Sequence, residues 1–426
     1  MSSSLFRNSG FIMAATIVNG GVGFLYWTVI ARTSTTHNVG LASAVVSAFT
    51  MTSLLTNIGI ATLMIQALPS IHDRRAWSAF VNGGILFAST FTFIVSIGVG
   101  VVLPLISPNL RDLHNVVLYC TFAVGAALST AALALDAVYV ASRRSEKMLN
   151  RNLFFGISKA LIVLLPLLVV SRLSTEAIVA SWVIGLFLSV AFGVLFLIPS
   201  AHDYSRWAIR GGVRAVTSLW RSMAGHHLTN LGGTLVPFIL PILVVIRVSA
   251  RANAFFYVTW SVGAIFFLVS PAVSASLFAE GSHGEDVFAN AKKSLMIIGA
   301  LLVPAIAFCC IFGKEVLSIF GPEYAAHGYT LLVILAFSAI PDAITNIAVS
   351  VLRTQHRIRL TAALNLGMAV VAVGFSWVFL PRWGINAPGF GWILSQTLGT
   401  IVVAFVLVRR SSPSLRPLTP EGSLGT

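Results

Sequence analysis

Long apolar runs without charged residues recur along the whole chain, separated by short basic or turn-forming segments. A helix of about 20 apolar residues crosses the roughly 30 Å hydrocarbon core of a bilayer. Only 9% of the residues are charged, against about 25% in typical soluble domains. The sequence therefore predicts an all-α polytopic membrane protein with about twelve transmembrane helices. We place them near residues 10–31, 40–67, 79–106, 115–141, 153–171, 176–199, 222–246, 252–279, 294–313, 328–352, 360–381 and 386–408.

Basic residues fix the expected orientation. With a cytoplasmic N-terminus, 19 of the 27 Lys and Arg residues fall in inner loops and tails, 7 fall in outer loops, and only Lys159 lies within a span. The positive-inside rule then predicts a multi-pass cell-membrane protein with both termini cytoplasmic. We read the first apolar run as a span rather than a signal peptide, since it is long and no small-residue cleavage site follows it. The net charge of +14 reflects this orientation, and we expect no nucleic-acid partner.

Motifs of catalysis and metal binding are not apparent in the sequence. Cys120, Cys309 and Cys310 lie inside apolar runs, which is not the pattern of a disulfide framework or a metal site. The loops carry no paired-carboxylate, HExxH or nucleophile motif, and no P-loop occurs. We therefore predict that the protein is not an enzyme and uses no metal or cofactor.

A weak internal repeat suggests two similar halves, with Arg32 and Asn38 falling opposite Arg247 and Asn253. We expect an N-lobe over 1–203 with helices one to six, a basic linker helix over 204–221, a C-lobe over 222–409 with helices seven to twelve, and a cytoplasmic tail over 410–426. Three arginines of the linker, Arg206, Arg210 and Arg214, recur every four residues, so they would share one helix face. The linker is either an interfacial helix on anionic inner-leaflet lipids or a solvated connector.

Three stretches carry a resemblance to a known family. They are VIARTSTTHNVGLASAVVSAFTMTSLLTNIGIATLMIQALP over 29–69, IFGPEYAAHGYTLLVILAFSAIPDAITNIAVSVLRTQHRIRL over 319–360, and FLPRWGINAPGFGWILSQ over 379–396. In them, the FG-x-x-Y entry to the tenth helix and the LP-x-x-G-I-x-A/G turn before the twelfth resemble the Wzx-type flippases. These belong to the multidrug/oligosaccharidyl-lipid/polysaccharide (MOP) exporter superfamily, together with the MATE drug exporters and the lipid II flippase MurJ.

The resemblance implies a secondary transporter with two six-helix lobes around a cavity that opens alternately to either side. Its cargo would be a polyprenyl-diphosphate-linked oligosaccharide for cell-surface polysaccharide biosynthesis, and its partners could include a polysaccharide polymerase or glycosyltransferases. The alternative is a MATE-type multidrug or cation antiporter. Such an antiporter needs membrane-embedded carboxylates, and the first and seventh helices contain none.

Charged residues inside spans are the sharpest candidates for a substrate site, because each is costly in a bilayer. We predict that Asp136 and Lys159 form an ion pair facing the N-lobe interior, either as a structural pair or with Lys159 contacting a diphosphate. Asp342 follows Pro341 near the middle of the tenth helix, with no matching basic residue in the C-lobe spans. It is either a neutral acid bonded to a neighbouring helix or a group that senses protons.

Weaker candidates complete the predicted site. Arg32 and Trp27 lie near the outer end of the first helix, where Arg32 could line a vestibule and Trp27 could stack on a sugar ring. The alternative is that Arg32 is a loop residue without a function in transport and that Trp27 is an interfacial membrane anchor. Asn57 is either a cavity residue or an amide bonded to a neighbouring helix. Prolines inside the C-half helices, Pro237, Pro241 and Pro341, are candidate hinges.

Overall fold

The computed structural model describes residues 2–57, 59–201, 203–219, 233–268, 270, 273, 287–354 and 357–411. Across these ranges the chain is helical and contains no β-strand. The helices are α1 (Ser2–Thr33), α2 (Thr36–Thr56), α3 (Ile60–Ala67), α4 (Arg74–Ile106), α5 (Val116–Ala141), α6 (Ser145–Leu164), α7 (Thr175–Phe192), α8 (Ile198–Ala201), α9 (Val236–Arg247), α10 (Ala250–Gly263), α11 (Val287–Ser318), α12 (Pro322–Thr354), α13 (Ile358–Trp383) and α14 (Asn386–Ser411).

Ten segments of the described chain are long and apolar enough to cross a bilayer. They coincide with predicted spans one to six and nine to twelve, so the predicted all-α membrane fold is confirmed. The predicted seventh and eighth spans contain α9 and α10, and part of each lies outside the described residues. Most of the predicted tail, from residue 412 onward, also lies outside them.

Several helices begin at a residue whose short polar side chain caps the helix N-terminus. The Thr35 hydroxyl accepts a hydrogen bond from the Asn38 N–H at the start of α2 (3.2 Å), and the Ser249 hydroxyl accepts one from Ala252 at the start of α10 (3.1 Å). Each cap satisfies a backbone N–H that a helix N-terminus would otherwise leave unpaired. The caps fix where α2 and α10 begin, and these two helices meet across the halves of the molecule.

The second predicted span, 40–67, is not one continuous helix. It divides into α2 and α3, and Gly59 between them has a left-handed backbone with φ of +78°. Glycine adopts this conformation without the steric cost that a Cβ would add. The prediction of a single helix was therefore wrong, because the left-handed Gly59 ends the helical geometry without interrupting the apolar run.

The predicted linker helix over 204–221 is also corrected. In the part of the linker that the structure describes, the helix occupies only 212–219, and 203–211 is a non-helical loop. Arg206 and Arg210 therefore do not share a helix face with Arg214. The amide of Asn82 on α4 explains the loop, because it donates to three loop carbonyls at 205, 206 and 208 (3.0–3.2 Å). Gly212 lies so close to α4 that a Cβ would meet the Ala79 carbonyl oxygen at 1.8 Å.

The described helices pack in two groups. One group comprises α1 to α7 and the other α9 to α14, and within the first group only α2 has extensive contacts with the second. The groups meet where α2 packs against α9 and α10. This junction lies at the end of the bundle that holds residues 34–35 and 248–249. The predicted topology places that end outside the cell, and we call it the outer end.

Candidate functional site

Lys159 on α6 lies in a box of aromatic rings. Its ammonium nitrogen, Nζ, is 3.8 Å from the ring centroid of Trp182, 4.6 Å from that of Phe155 and 5.0 Å from that of Tyr26. The lysine side chain is only 4% exposed. Ring faces attract a cation because the π-system carries negative charge. We call Lys159, Tyr26, Phe155 and Trp182 the lysine cage.

Three helices hold the cage together. The Tyr26 hydroxyl on α1 donates to the Ile178 carbonyl of α7 (3.0 Å) and is bonded to the Ser181 hydroxyl (2.8 Å). Helix α7 approaches Lys159 closely at Gly185, where a Cβ would lie 2.9 Å from the lysine Cβ. The rings and the lysine backbone are therefore positioned by packing rather than by a flexible loop.

The charge of Lys159 is not compensated. Among the described residues, no carboxylate forms an ion pair with it and no acceptor takes a hydrogen bond from Nζ. A buried cation without a counter-ion is unfavourable, and cation–π contacts, at about 2 kcal/mol each when desolvated, offset part of that cost. The cage is therefore a place where an anion would be stabilised.

The predicted ion pair between Asp136 and Lys159 was wrong. Asp136 instead accepts two parallel hydrogen bonds from Arg151, from Nε to Oδ1 and from Nη2 to Oδ2, both of 2.8 Å. The predicted topology places Arg151 among the 19 cations of the inner loops and tails, but α6 begins at Ser145 and contains it. Lys159 lies eight residues further along α6, about 12 Å nearer the outer end. The carboxylate is thus level with the arginine and not with the lysine.

A tight contact between the two groups of helices lies above the cage. The Asn253 side-chain amide on α10 donates to the Gly40 carbonyl of α2 (2.7 Å) and to the Ser43 hydroxyl (3.0 Å). A Cβ on Gly40 would lie only 1.7 Å from the Ala250 carbonyl oxygen. Asn253 and Ser43 have no exposed surface. We call Gly40, Ser43, Ala250 and Asn253 the outer latch.

Arg32 contributes a second contact between the groups. It is exposed in the last turn of α1, and its Nε and Nη2 donate to the carbonyls of Ile319 and Ser318 at 2.7 Å each. These carbonyls lie at the C-terminus of α11, where the partial negative charge of a helix favours a cation. Arg32 therefore ties the halves together at the outer end, and its predicted part in lining a vestibule stays a prediction.

Trp27 lies between the lysine cage and the outer latch. It is 3% exposed, and its ring centroid is 6.1 Å from that of Trp182 and 4.8 Å from that of Tyr257 on α10. In this arrangement both faces of the ring are covered by protein, so sugar stacking would require a different conformation. The sequence placed Trp27 at the site but did not reveal its contact with Tyr257.

The other predicted candidates lie apart from the cage. The Asn57 side chain is buried and its Oδ1 accepts from the Ala61 N–H (3.3 Å), so it caps α3 at the break in the second span. Pro237 lies in the first turn of α9, where a missing N–H costs nothing, and its role as a hinge stays a prediction. Pro241 and Pro341 lie inside α9 and α12 respectively, and their role as hinges stays a prediction.

Asp342 occupies a separate polar cluster in α12. Its Oδ2 accepts hydrogen bonds from the Ser270 hydroxyl and the Asn346 amide, both of 2.9 Å. No basic side chain within the described ranges pairs with it. One turn away, the Thr345 hydroxyl donates to Gln396 on α14 (2.6 Å). Asp342 is 5% exposed, and the side chains that donate hydrogen bonds to its carboxyl group are neutral.

Sequence reasoning missed Tyr26 and Phe155 as parts of the lysine cage, and it missed Tyr257 as the contact of Trp27. Aromatic residues make up 11% of the chain, so three more inside apolar runs carry no distinctive signal. Asn253 had a usable signal, because it lies opposite Asn38 in the weak repeat. Both asparagines occur in the first turn of a capped helix.

Comparisons with known proteins agree with this architecture. No family model matches the sequence. A curated relative, the probable flippase AglR of Haloferax volcanii, is 22% identical over 257 residues, covering 58% of this chain. The match extends over 51% of the relative, so the chain spans about half the length of the curated protein it matches.

Solved structures show the fold. The lipid II flippase MurJ in an inward closed conformation superimposes with a TM-score of 0.72 at 10% identity, covering 92% of this chain and 86% of MurJ. An inward-facing MATE-family multidrug resistance transporter gives a TM-score of 0.63 at 12% identity, covering 91% and 98%. The chain therefore has the fold of the MurJ and MATE transporters of the MOP superfamily, and its curated relative is a probable flippase.

Proposed function

We propose that the protein is a secondary transporter that flips a polyprenyl-diphosphate-linked oligosaccharide across the cell membrane by alternating access. The observation that carries the proposal is the uncompensated charge of Lys159, because it suits an anionic head group. The flippase relative and the MurJ-like fold support the same conclusion.

The transport problem explains why a polar interior is needed. A glycan head group has many hydroxyls, and moving each of them into hydrocarbon without a partner costs several kcal/mol. A lumen between two lobes avoids this cost without covalent chemistry. Lys159 would neutralise the diphosphate through charge-assisted hydrogen bonds, which are stronger than bonds between neutral groups.

The rival MATE-type antiporter fits the charges less well. A cationic substrate requires a free buried carboxylate, whereas Asp136 is already neutralised by Arg151 through two hydrogen bonds. Asp342 lies in a separate cluster of neutral partners. In the described part of the cage the only charge is positive, and it would repel a cationic drug.

Asp342 supplies a candidate for energy coupling. An ionised carboxylate without a cationic partner is unfavourable in a buried site, so we assign a proton to it in the resting state. Release of that proton to one side would couple the cycle to the proton gradient. Transport by Asp342→Asn at the wild-type rate, with unchanged pH dependence, would refute the coupling.

The surroundings of the transporter follow from the same proposal. We place both termini in the cytoplasm and the loop 203–211 on the inner leaflet. Trp207 in that loop is 90% exposed, and with Arg206, Arg210 and Arg214 it provides an apolar and basic surface for anionic lipids. A polysaccharide polymerase or glycosyltransferases would act on the same lipid-linked glycan. The protein itself would carry out no covalent step.

Depletion of the protein tests the function directly. We expect lipid-linked glycans to accumulate on the cytoplasmic leaflet, measured by sided labelling of the sugar in membrane vesicles. Lys159→Met should fail to restore the outer pool, and Lys159→Arg should restore it in part because it keeps the charge. Unchanged glycan sidedness with altered dye efflux would favour the drug antiporter instead.

A further inference from the structure

The lysine cage and the outer latch are joined by a series of aromatic rings. Lys159 Nζ lies over Trp182 at 3.8 Å, the Trp182 ring is 6.1 Å from Trp27, and Trp27 is 4.8 Å from Tyr257. The first three residues belong to α6, α7 and α1, whereas Tyr257 belongs to α10 in the other group of helices. The series therefore crosses from one half of the molecule to the other.

Tyr257 is one helical turn from the latch amide. Asn253 precedes it by four residues on α10, so the two side chains lie on the same face of that helix. One side chain bonds Gly40 and Ser43 of α2, and the other contacts Trp27 of α1. Both contacts must break together when α10 separates from the first half.

An anion at Lys159 would disturb this series at its start. Charge-assisted hydrogen bonds from an ammonium to phosphate oxygens are stronger than its contact with a ring face. A bound diphosphate would therefore draw Nζ away from Trp182. Densely packed interiors respond by changing between discrete arrangements rather than by stretching continuously.

We propose that Trp27 and Tyr257 are positioning residues that couple occupancy of the lysine cage to release of the outer latch. The empty cage keeps Trp27 packed on Tyr257 and the outer end closed. The occupied cage releases that contact, so the outer end opens with substrate bound. The coupling rests on the proposed function for its ligand class, an anionic diphosphate.

A cysteine reporter in the full chain measures latch opening. Ser47 is one turn from Ser43 along α2, on the same face, and is 2% exposed. The reporter protein carries Ser47→Cys with Cys120, Cys309 and Cys310 replaced by alanine. It is placed in lipid nanodiscs and labelled with a maleimide, with and without farnesyl diphosphate. Farnesol, which has the same chain without the diphosphate, is the control ligand.

Binding of radiolabelled farnesyl diphosphate is measured on the same samples. In the reporter protein we expect binding, together with about a tenfold faster labelling that farnesol does not produce. Tyr257→Ala should bind the diphosphate within about twofold of the reporter and lose the change in labelling, because it removes the contact with Trp27 and leaves the lysine cage intact. Tyr257→Phe keeps the ring and should retain both binding and the labelling change.

The outcomes separate the coupling from the proposed function. A labelling change that persists in Tyr257→Ala, or binding to the reporter protein without any labelling change, would overturn the coupling and leave the anion site intact. Equal binding by the reporter protein and by Lys159→Met would instead overturn the role of Lys159. Loss of the response in both Tyr257→Ala and Tyr257→Phe would assign the effect to the hydroxyl and would also overturn ring-mediated coupling.

Discussion

Gly40→Ala is the most direct perturbation of the outer latch. The added Cβ would lie 1.7 Å from the Ala250 carbonyl oxygen, 2.6 Å from its carbonyl carbon and 2.9 Å from the Ala254 nitrogen. All three atoms belong to the backbone, so no rotamer change can relieve the overlap. Helices α2 and α10 must move apart by more than an ångström to admit the methyl group.

The magnitude follows from what this separation breaks. Two hydrogen bonds from Asn253, to Gly40 and Ser43, are lost or stretched, at about 1 kcal/mol each. Residual overpacking adds about 1–3 kcal/mol. We therefore expect the outer-closed state to lose at least about 3 kcal/mol relative to the outer-open state, a shift of roughly 100-fold or more in their ratio.

Maleimide labelling of the Ser47→Cys reporter is the assay for this shift. We expect Gly40→Ala to label at least about tenfold faster than the parent and to transport more slowly, because the closed state is less populated. Gly98→Ala is the matched control, since a Cβ there would meet nothing within 4 Å. Monodisperse elution in detergent verifies folding of both variants. Equal labelling of Gly40→Ala and Gly98→Ala would refute the role assigned to the latch.

Three further substitutions test other parts of the structure. Arg151→Ala leaves the largely buried Asp136 carboxylate unpaired and should lower the free energy of unfolding by about 3 kcal/mol. Thermal unfolding in detergent measures this change, and an unchanged midpoint would contradict a buried ion pair. Gly185→Ala should displace Lys159 and reduce the rate of transport, whereas the control Gly98→Ala should not. Equal transport rates for the two variants would exclude a tight approach of α7 to the lysine cage. Asn82→Ala should speed trypsin cleavage of the linker in inside-out vesicles, and wild-type cleavage would show that the amide does not hold the loop.

Hydropathy was sufficient to predict the ten spans found in the described chain, but not the interruption of the second one. A transmembrane helix needs only length and apolar composition, and both are local properties of the sequence. The break at Asn57–Gly59 depends on a few backbone dihedrals and leaves the hydropathy unchanged. The linker loop likewise depends on Asn82, a residue more than a hundred positions away. Spacing of arginines alone could not reveal that partner.

The site was predictable in its charges but not in its pairings. Lys159 and Asp136 stood out because charges are rare inside spans. Their pairing was misjudged because Arg151 was read as a loop residue, although α6 begins six residues before it. Arg151 and Lys159 differ in depth by about two helical turns, and this difference determines which of the two contacts Asp136. Pairing depends on where a helix begins, and charge clusters locate that point only approximately.

A buried ion pair lies within one half of the molecule, whereas the contacts between the halves are weaker, and this difference suits a rocking motion of the halves. The buried pair of Asp136 and Arg151 joins α5 to α6 within one half, where separation would leave a charge unpaired. Among the described residues, the side-chain hydrogen bonds between the halves include those from Asn253, Arg32 and Asn109, and ring contacts such as Trp27 with Tyr257 add to them. Each such hydrogen bond has a net value of about 1 kcal/mol, or up to about 3 for a charged donor, because water can replace it. Separation of the halves at the outer end therefore leaves no buried charge unpaired, which is what the proposed alternating access requires.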